Sequence, residues 1–282
     1  MSTKTIDLHV HSTASDGTYT PSDLIKLAFK SGLSAIAITD HDTIDGLGEA
    51  QTAANSYNIE FVPGVELSTE YNGKELHMVG LFIDKTYKPL LTNLKEFIKK
   101  RDERNKKIVS LLQKEGSSIT FEKLLNRTGG TITRAHFADY LIEEGFVKDK
   151  KEAFSKYLGD GKRCFVERSL ISSQDAIALI KEAGGTAIFA HPGLCKYTDA
   201  QLREALSVFK EAGLDGLEAV YSTYNHDDEL YFTNIANEYN LLLSGGSDFH
   251  GSIKPDISLG IGRGAMSVPY KFLETIKLSR VK

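Results

Sequence analysis

Six of the chain's eight histidines fall at or just beyond the end of a predicted strand. They are His9 and His11 in TIDLHVHS, His41 in ITDHD, His77 in KELHMVG, His191 in FAHPG and His250 in GSDFHG. Random placement would not do this, and the pattern restricts the fold to one that collects strand ends. A strand sends alternate side chains to opposite faces, so Asp7, His9 and His11 share one face while Ile6, Leu8 and Val10 take the other. Parallel α/β folds bring the C-terminal ends of their strands to one rim, where residues distant in sequence meet.

Glu66 in VPGVELS and Asp248 in GGSDFHG occupy the same kind of position, and Asp16 lies in the glycine-containing loop after the first strand. With the six histidines they make nine candidate metal ligands for one cleft. Imidazole and carboxylate together suit divalent first-row ions, and nine ligands exceed what one ion needs, so two or three ions are expected. Paired ions activate water and stabilise both oxygens of an in-line displacement at phosphorus, which makes phosphoester hydrolysis the natural chemistry. A single histidine at a strand end is more often a hydrogen-bonded structural residue, and Asp16 alone would read as a turn residue. The joint pattern overturns both. Asp7 and Asp40 flank candidates and are expected to orient imidazoles through the non-ligating nitrogen. His226, in the polar run NHDDE, is expected to be exposed.

The strand and helix rhythm runs through residues 1–86, lapses over 87–170, and returns over 171–282. The middle stretch, from KPLLTNLKEFIKKRDERNKKIVSLLQKEG to KEAFSKYLG, carries helical periodicity without a convincing strand. The expected organisation is an α/β body interrupted by a helical insertion. The net charge of -4 argues against duplex DNA binding driven by counterion release, while a small nucleotide or short strand stays open. The opening MSTKTIDLHV lacks the apolar run of a secretion signal and no stretch is apolar enough to span a bilayer, so a cytoplasmic location is expected. Cys164 and Cys195 are too few for a disulfide framework and are read as buried, inert thiols.

DLHVHSTASDG, ITDHDTIDG, GVELS, LHMVGLF, FAHPG and GGSDFHG, in this order, resemble the polymerase and histidinol phosphatase (PHP) superfamily. The resemblance implies a distorted seven-stranded β/α barrel, TIM-like, with a trinuclear site. It assigns His9, His11, Glu66 and Asp248 to one ion, Glu66, His77 and His191 to a second, and Asp16, His41 and His250 to a third. Glu66 would be the bridge. Manganese is the first expectation for the ions, with iron or zinc as alternatives.

The insertion segments RDERNKKIVSLLQKEG and TRAHFADYLIEEGFVKDKKEAFSKYLGDGK resemble the branch containing 3',5'-nucleoside bisphosphate phosphatases and enzymes that trim short RNA from its 5' end. Arg101 and Arg104 lie three apart on a predicted helix and so share a face, where they can clamp a phosphate. Arg134 and His136, at the start of another helix, extend the substrate-binding set. Lys99, Lys100, Lys106 and Lys107 read as a solvated face. His41 and His250 are candidates for touching the phosphate as well as a metal. The leading expectation is a metal-dependent phosphatase that removes the 3'-phosphate of nucleoside 3',5'-bisphosphates by attack of a metal-bound hydroxide. Its competitors are 5'-3' exoribonuclease action on short 5'-phosphorylated RNA, histidinol-phosphate hydrolysis, and a non-catalytic metal-binding module.

Overall fold

The computed structural model describes residues 4–128 and 131–281. Chain contacts separate Asn93–Ser169 from a unit made of Met1–Thr92 and Leu170–Lys282. The larger unit opens with β1 (Thr5–Asp7), α1 (Pro21–Lys30), β2 (Ala35–Ile38), α2 (Leu47–Tyr57), β3 (Glu60–Tyr71) and β4 (Lys74–Leu81). The chain then enters α3 (Lys88–Lys114), which runs across the boundary at Thr92, followed by α4 (Phe121–Thr128), α5 (Arg134–Glu143) and α6 (Lys150–Ala153). It returns through β5 (Ile171–Ser172), α7 (Ser173–Glu182), β6 (Thr186–Phe189), α8 (Asp199–Glu211), β7 (Gly216–Tyr221), α9 (His226–Glu238), β8 (Leu242–Gly246), β9 (Val268–Pro269) and α10 (Tyr270–Ser279).

The sheet runs β8-β7-β6-β4-β3-β2-β1-β9, with β5 pairing β3 off this path. It curls until its two ends meet: Leu8 N–H donates to the Gly245 carbonyl at 3.2 Å and His11 N–H to that of Phe249 at 3.0 Å. Seven strands, β1 to β4 and β6 to β8, therefore make the wall of a distorted β/α barrel. Asp7 fastens this seam. Its buried carboxylate accepts from Ser247 N–H (2.8 Å), Ser247 Oγ (2.6 Å) and Gly260 N–H (2.8 Å), and burial raises its pKa to about 6. Gly246 lets the strands approach this closely, because a Cβ there would stand 2.4 Å from His9 Cβ.

The local sequence explains the elements. Thr20 caps α1 through the Asp23 N–H, Pro21 occupies its first turn, and Leu24, Ile25 and Ala28 form its buried stripe. Asn72 and Gly73 take positive φ of 51° and 74°, the geometry of a two-residue hairpin turn that reverses the chain between β3 and β4. That reversal leaves β4 antiparallel to both β3 and β6, unlike the parallel pairs on either side. The barrel core includes Ile6, Leu8, Val62, Val79, Leu81, Ile188 and Val268, closed by Leu273 and Ile276 of α10. The smaller unit has a core of its own, with Ile108, Leu112, Leu124, Phe137, Leu141 and Leu158.

Candidate metal centre

All nine candidates lie in the barrel unit, and each is delivered by a specific backbone device. His9 and His11 follow β1, and both side chains are fully buried. Asp16 rides on a loop that Asp40 ties down by accepting from Ser12 N–H (2.7 Å) and Ser12 Oγ (2.6 Å). His41 follows β2 and bridges in parallel to Glu66 within β3. His191 and Asp248 follow β6 and β8 in the left-handed region, with φ of 31° and 54°. Such backbone is costly for residues with a Cβ and persists where the surroundings enforce it.

His77 corrects the sequence picture, because it lies within β4 rather than beyond its end. The antiparallel direction explains how it still joins the cluster. The N-terminal half of β4 runs beside the C-terminal half of β3, with His77 opposite Ser68 and Val79 opposite Glu66. His77 and Glu66 are therefore diagonal neighbours on one face, and His77 Nδ1 stands 2.9 Å from Glu66 Oε1.

Glu66 is the hub. Its Oε1 lies 2.9 Å from His77 Nδ1, 3.0 Å from His191 Nε2 and 3.3 Å from His9 Nε2. Its Oε2 lies 2.9 Å from His41 Nδ1 and 3.2 Å from His11 Nε2. Asp248 Oδ1 faces His11 Nε2 at 3.3 Å and His9 Nε2 at 3.8 Å. Asp16 meets His250 Nε2 at 3.2 Å and His41 Nε2 at 3.9 Å. His250 Nδ1 donates to the Asp248 carbonyl at 2.8 Å, which leaves its Nε2 as the acceptor.

Two atoms bound to one ion at about 2.1 Å stand about 3.0 to 3.4 Å apart at octahedral or tetrahedral angles. The His9, His11, Glu66 and Asp248 contacts match that spacing, apart from the longer His9–Asp248 distance, so the donor set fits divalent ions. Three groups hold their ligand atoms within 4.8 Å of one another: His9, His11 and Glu66; His41, Glu66 and His77; and His11, Asp16, His41 and His250. His11 and His41 thus each stand between groups that the resemblance kept separate.

The electrostatics follow from burying this many ionisable groups together. Burial opposes charge on His9, yet Glu218 and Glu66 hold its pKa well above the ordinary imidazole value. Burial is likewise overcome at His11, raised to about 9 by Asp248 and Glu66, and at His77, raised to about 10 by Glu66. Burial wins at His41, which falls to about 4, and it lowers His250 with the help of the neighbouring His11. Against the burial effect, Glu66, Asp16 and Asp248 are all held well below the carboxylate range by their cationic neighbours. Protons here stand where metal charge would otherwise balance the acids.

Asp7 and Asp40 do not orient imidazoles. They fasten the barrel seam and the Asp16 loop, since the hydrogen-bonding donors within their reach are backbone amides and serine hydroxyls. Three side chains that sequence reading did not single out touch the cluster instead. Glu218 of β7 places Oε1 2.8 Å from His9 Nδ1 and accepts the His191 N–H on Oε2 at 2.7 Å. Lys254 Nζ (2.6 Å) and the Tyr221 hydroxyl (2.7 Å) both hold Asp248 Oδ2, leaving Oδ1 to the histidines. The available signal was an acid inside the apolar strand GLEAVY. His226 begins α9 and is exposed, as expected, and Cys164 is buried whereas Cys195 is partly so.

In the smaller unit Arg101 and Arg104 are buried on α3, while Lys99, Lys100, Lys106 and Lys107 are exposed. Arg134 is the first residue of α5, where its guanidinium pairs with Asp160 at 2.8 Å and lies 5.7 Å from the Phe165 ring centre. His136 Nδ1 accepts the Thr133 N–H at 3.1 Å, so this nitrogen serves the helix start.

A rim of imidazoles and carboxylates on a β/α barrel, spaced for divalent ions, defines a metal-dependent phosphoesterase. The PHP domain model matches residues 7–183, and the chain belongs to that family. It is 39% identical over 248 residues to a 5'-3' exoribonuclease of Haemophilus influenzae, covering 88% of this chain and 90% of the relative. It is 36% identical to the 3',5'-nucleoside bisphosphate phosphatase of Chromobacterium violaceum, covering 87% of each. Among solved structures, one from Chromobacterium violaceum described as an amidohydrolase with bound sulfate and no metal superposes with a TM-score of 0.87 at 33% identity, covering 98% of this chain and 96% of that one. A candidate metal-dependent phosphoesterase from Bifidobacterium adolescentis gives the same TM-score at 29% identity, with the same coverage of each chain.

Proposed function

We propose that this enzyme removes the 3'-phosphate from nucleoside 3',5'-bisphosphates. The observation that carries phosphoester hydrolysis is Glu66, whose two oxygens are shared among five imidazoles from β1, β2, β4 and β6 or the turns that follow them. The substrate class is supported by the likeness to the Chromobacterium violaceum phosphatase over most of both chains. His9, His11, Glu66 and Asp248 would hold one divalent ion, Glu66, His77 and His191 a second, and Asp16, His41 and His250 a third, with manganese first in expectation and iron or zinc next. Bound ions would supply an activated water and positive charge for the phosphoryl oxygens.

The chain's own residues do the remaining work. Asp248, held on one oxygen by Lys254 and Tyr221, keeps the other aimed at His9 and His11. His41 and His250, on the Asp16 side of the cluster, would touch the reacting phosphate as well. Arg101, Arg104, Arg134 and His136 would grip the 5'-phosphate, and planar guanidinium donors suit its oxygens. Energy from the gripped, non-reacting phosphate would orient the reacting one, so specificity and rate would come from the same contacts. A nucleotide substrate of this kind fits a cytoplasmic enzyme. Among the described residues no helix is long and apolar enough to cross a membrane.

A second reading is favoured by the 39% identity to the Haemophilus influenzae exoribonuclease: release of mononucleotides from short 5'-phosphorylated RNA by the same rim. A product panel with manganese separates the two. Phosphate release from adenosine 3',5'-bisphosphate exceeding mononucleotide release from a 5'-phosphorylated trimer supports the first. The reverse ranking supports the second, and turnover of histidinol phosphate alone overturns both.

A further inference from the structure

Glu218 is 1% exposed and sits in the middle of β7, whose other residues are apolar apart from the terminal Tyr221. Its two oxygens go to two different strands. Oε1 reaches the His9 ring beyond β1 at 2.8 Å, and Oε2 accepts the backbone N–H of His191 beyond β6 at 2.7 Å. With Oε2 taken by the His191 N–H, Oε1 faces His9 Nδ1 as an acceptor, which places the His9 donor on Nδ1. That fixes the tautomer and aims His9 Nε2 at Glu66 and His11, 3.3 Å and 3.2 Å away. The bond to His191 acts on backbone rather than ring, at a residue whose φ of 31° is costly for a side chain with a Cβ. It holds the turn that points His191 Nε2 at the same oxygen of Glu66, at 3.0 Å.

We infer that Glu218 is a positioning residue that sets His9 and His191 together, and so couples the geometry of two neighbouring ion sites from behind. The inference rests on the proposed reading of His9 and His191 as metal ligands. A residue with only a packing role would need neither oxygen to face a ligand candidate. Partners of this kind behind a ligating histidine are worth about 10- to 100-fold in metal affinity.

The chemistry selects the variant. Glu218→Gln keeps the volume but replaces one acceptor with an NH2 group that would face either the His9 N–H or the His191 N–H, donor against donor. Glu218→Asp keeps both acceptors but is one methylene too short to span both partners.

The test is manganese stoichiometry and affinity for the full chain, by equilibrium dialysis with metal analysis, alongside melting of the metal-free proteins. Glu218→Gln should bind manganese about 10- to 100-fold more weakly than the parent, with Glu218→Asp between them. Parent-like affinity in Glu218→Gln overturns the inference while leaving the ligand reading standing. A parent that binds no manganese overturns the ligand reading and this inference with it. Lowered metal-free melting with unchanged metal affinity assigns Glu218 to packing alone. If neither variant folds, long-range 15N–1H spectra of the zinc-loaded parent decide: His9 protonated on Nδ1 supports the inference, and His9 protonated on Nε2 overturns it.

Discussion

The barrel rim and the helical insertion both handle charge under cover from water, and they do so in opposite ways. At the rim, buried histidines and carboxylates answer one another at distances below 4 Å, so that the cluster is nearly self-compensating and its protonation is collective. In the insertion, Arg101 and Arg104 are buried three residues apart on α3, beside the exposed Lys99, Lys100, Lys106 and Lys107. A self-compensating cluster can exchange protons for metal ions, whereas a guanidinium keeps its charge and its fork of donors at every working pH. One region is built to change its charge and the other to keep it.

Perturbing the hub should break that contrast most severely. Glu66→Gln removes the charge shared by five imidazoles and is expected to lower phosphate release by at least about 10³-fold, since removing the partner of buried charges leaves them uncompensated. Activity within tenfold of the parent would refute the bridging role. Arg104→Ala should be milder and selective. Loss of charge-assisted hydrogen bonds is worth about 1.5 to 3 kcal/mol, so kcat/KM for a 5'-phosphorylated substrate should fall about 10- to 100-fold while a generic aryl phosphate changes less than about twofold. Equal losses on both would sink the clamp.

The rim should also respond to pH where the insertion does not. His11 and His77, with pKa values raised to about 9 and about 10, are protonated at neutral pH and must lose those protons to bind metal. Apparent manganese affinity should therefore rise by about tenfold or more from pH 7 to pH 8, with proton release seen by calorimetry in buffers of differing ionisation enthalpy. A flat profile would show that neither group joins a metal. Lys100→Ala, on the exposed part of the same helix as the arginines, should leave kcat/KM within about twofold.

How far the sequence could be read differs along the chain. The β/α rhythm, the helical middle and seven of the nine rim positions follow from periodicity, strand ends and the loop after β1, all of which are local, whereas Glu66 lies inside β3 rather than at its end. His77 could be grouped with the others but not placed, because its route to the rim depends on the antiparallel turn of β4. The fold's closing elements, β9 and α10, had no assignment from pattern at all. Asp7 and Asp40 were given the wrong partners because flanking a histidine in sequence does not put a carboxylate beside its ring.

By itself, then, the amino-acid order determined which histidines and acids are candidates for one rim, since strand period and loop position mark them out. Tertiary structure alone decided how they are held. Glu218 reaches His9 across 209 residues of chain and His191 across 27, and Asp7 secures Ser247 across 240. Local patterns carry no record of such pairings, because which carboxylate meets which donor is settled only when the sheet curls and its two edges meet.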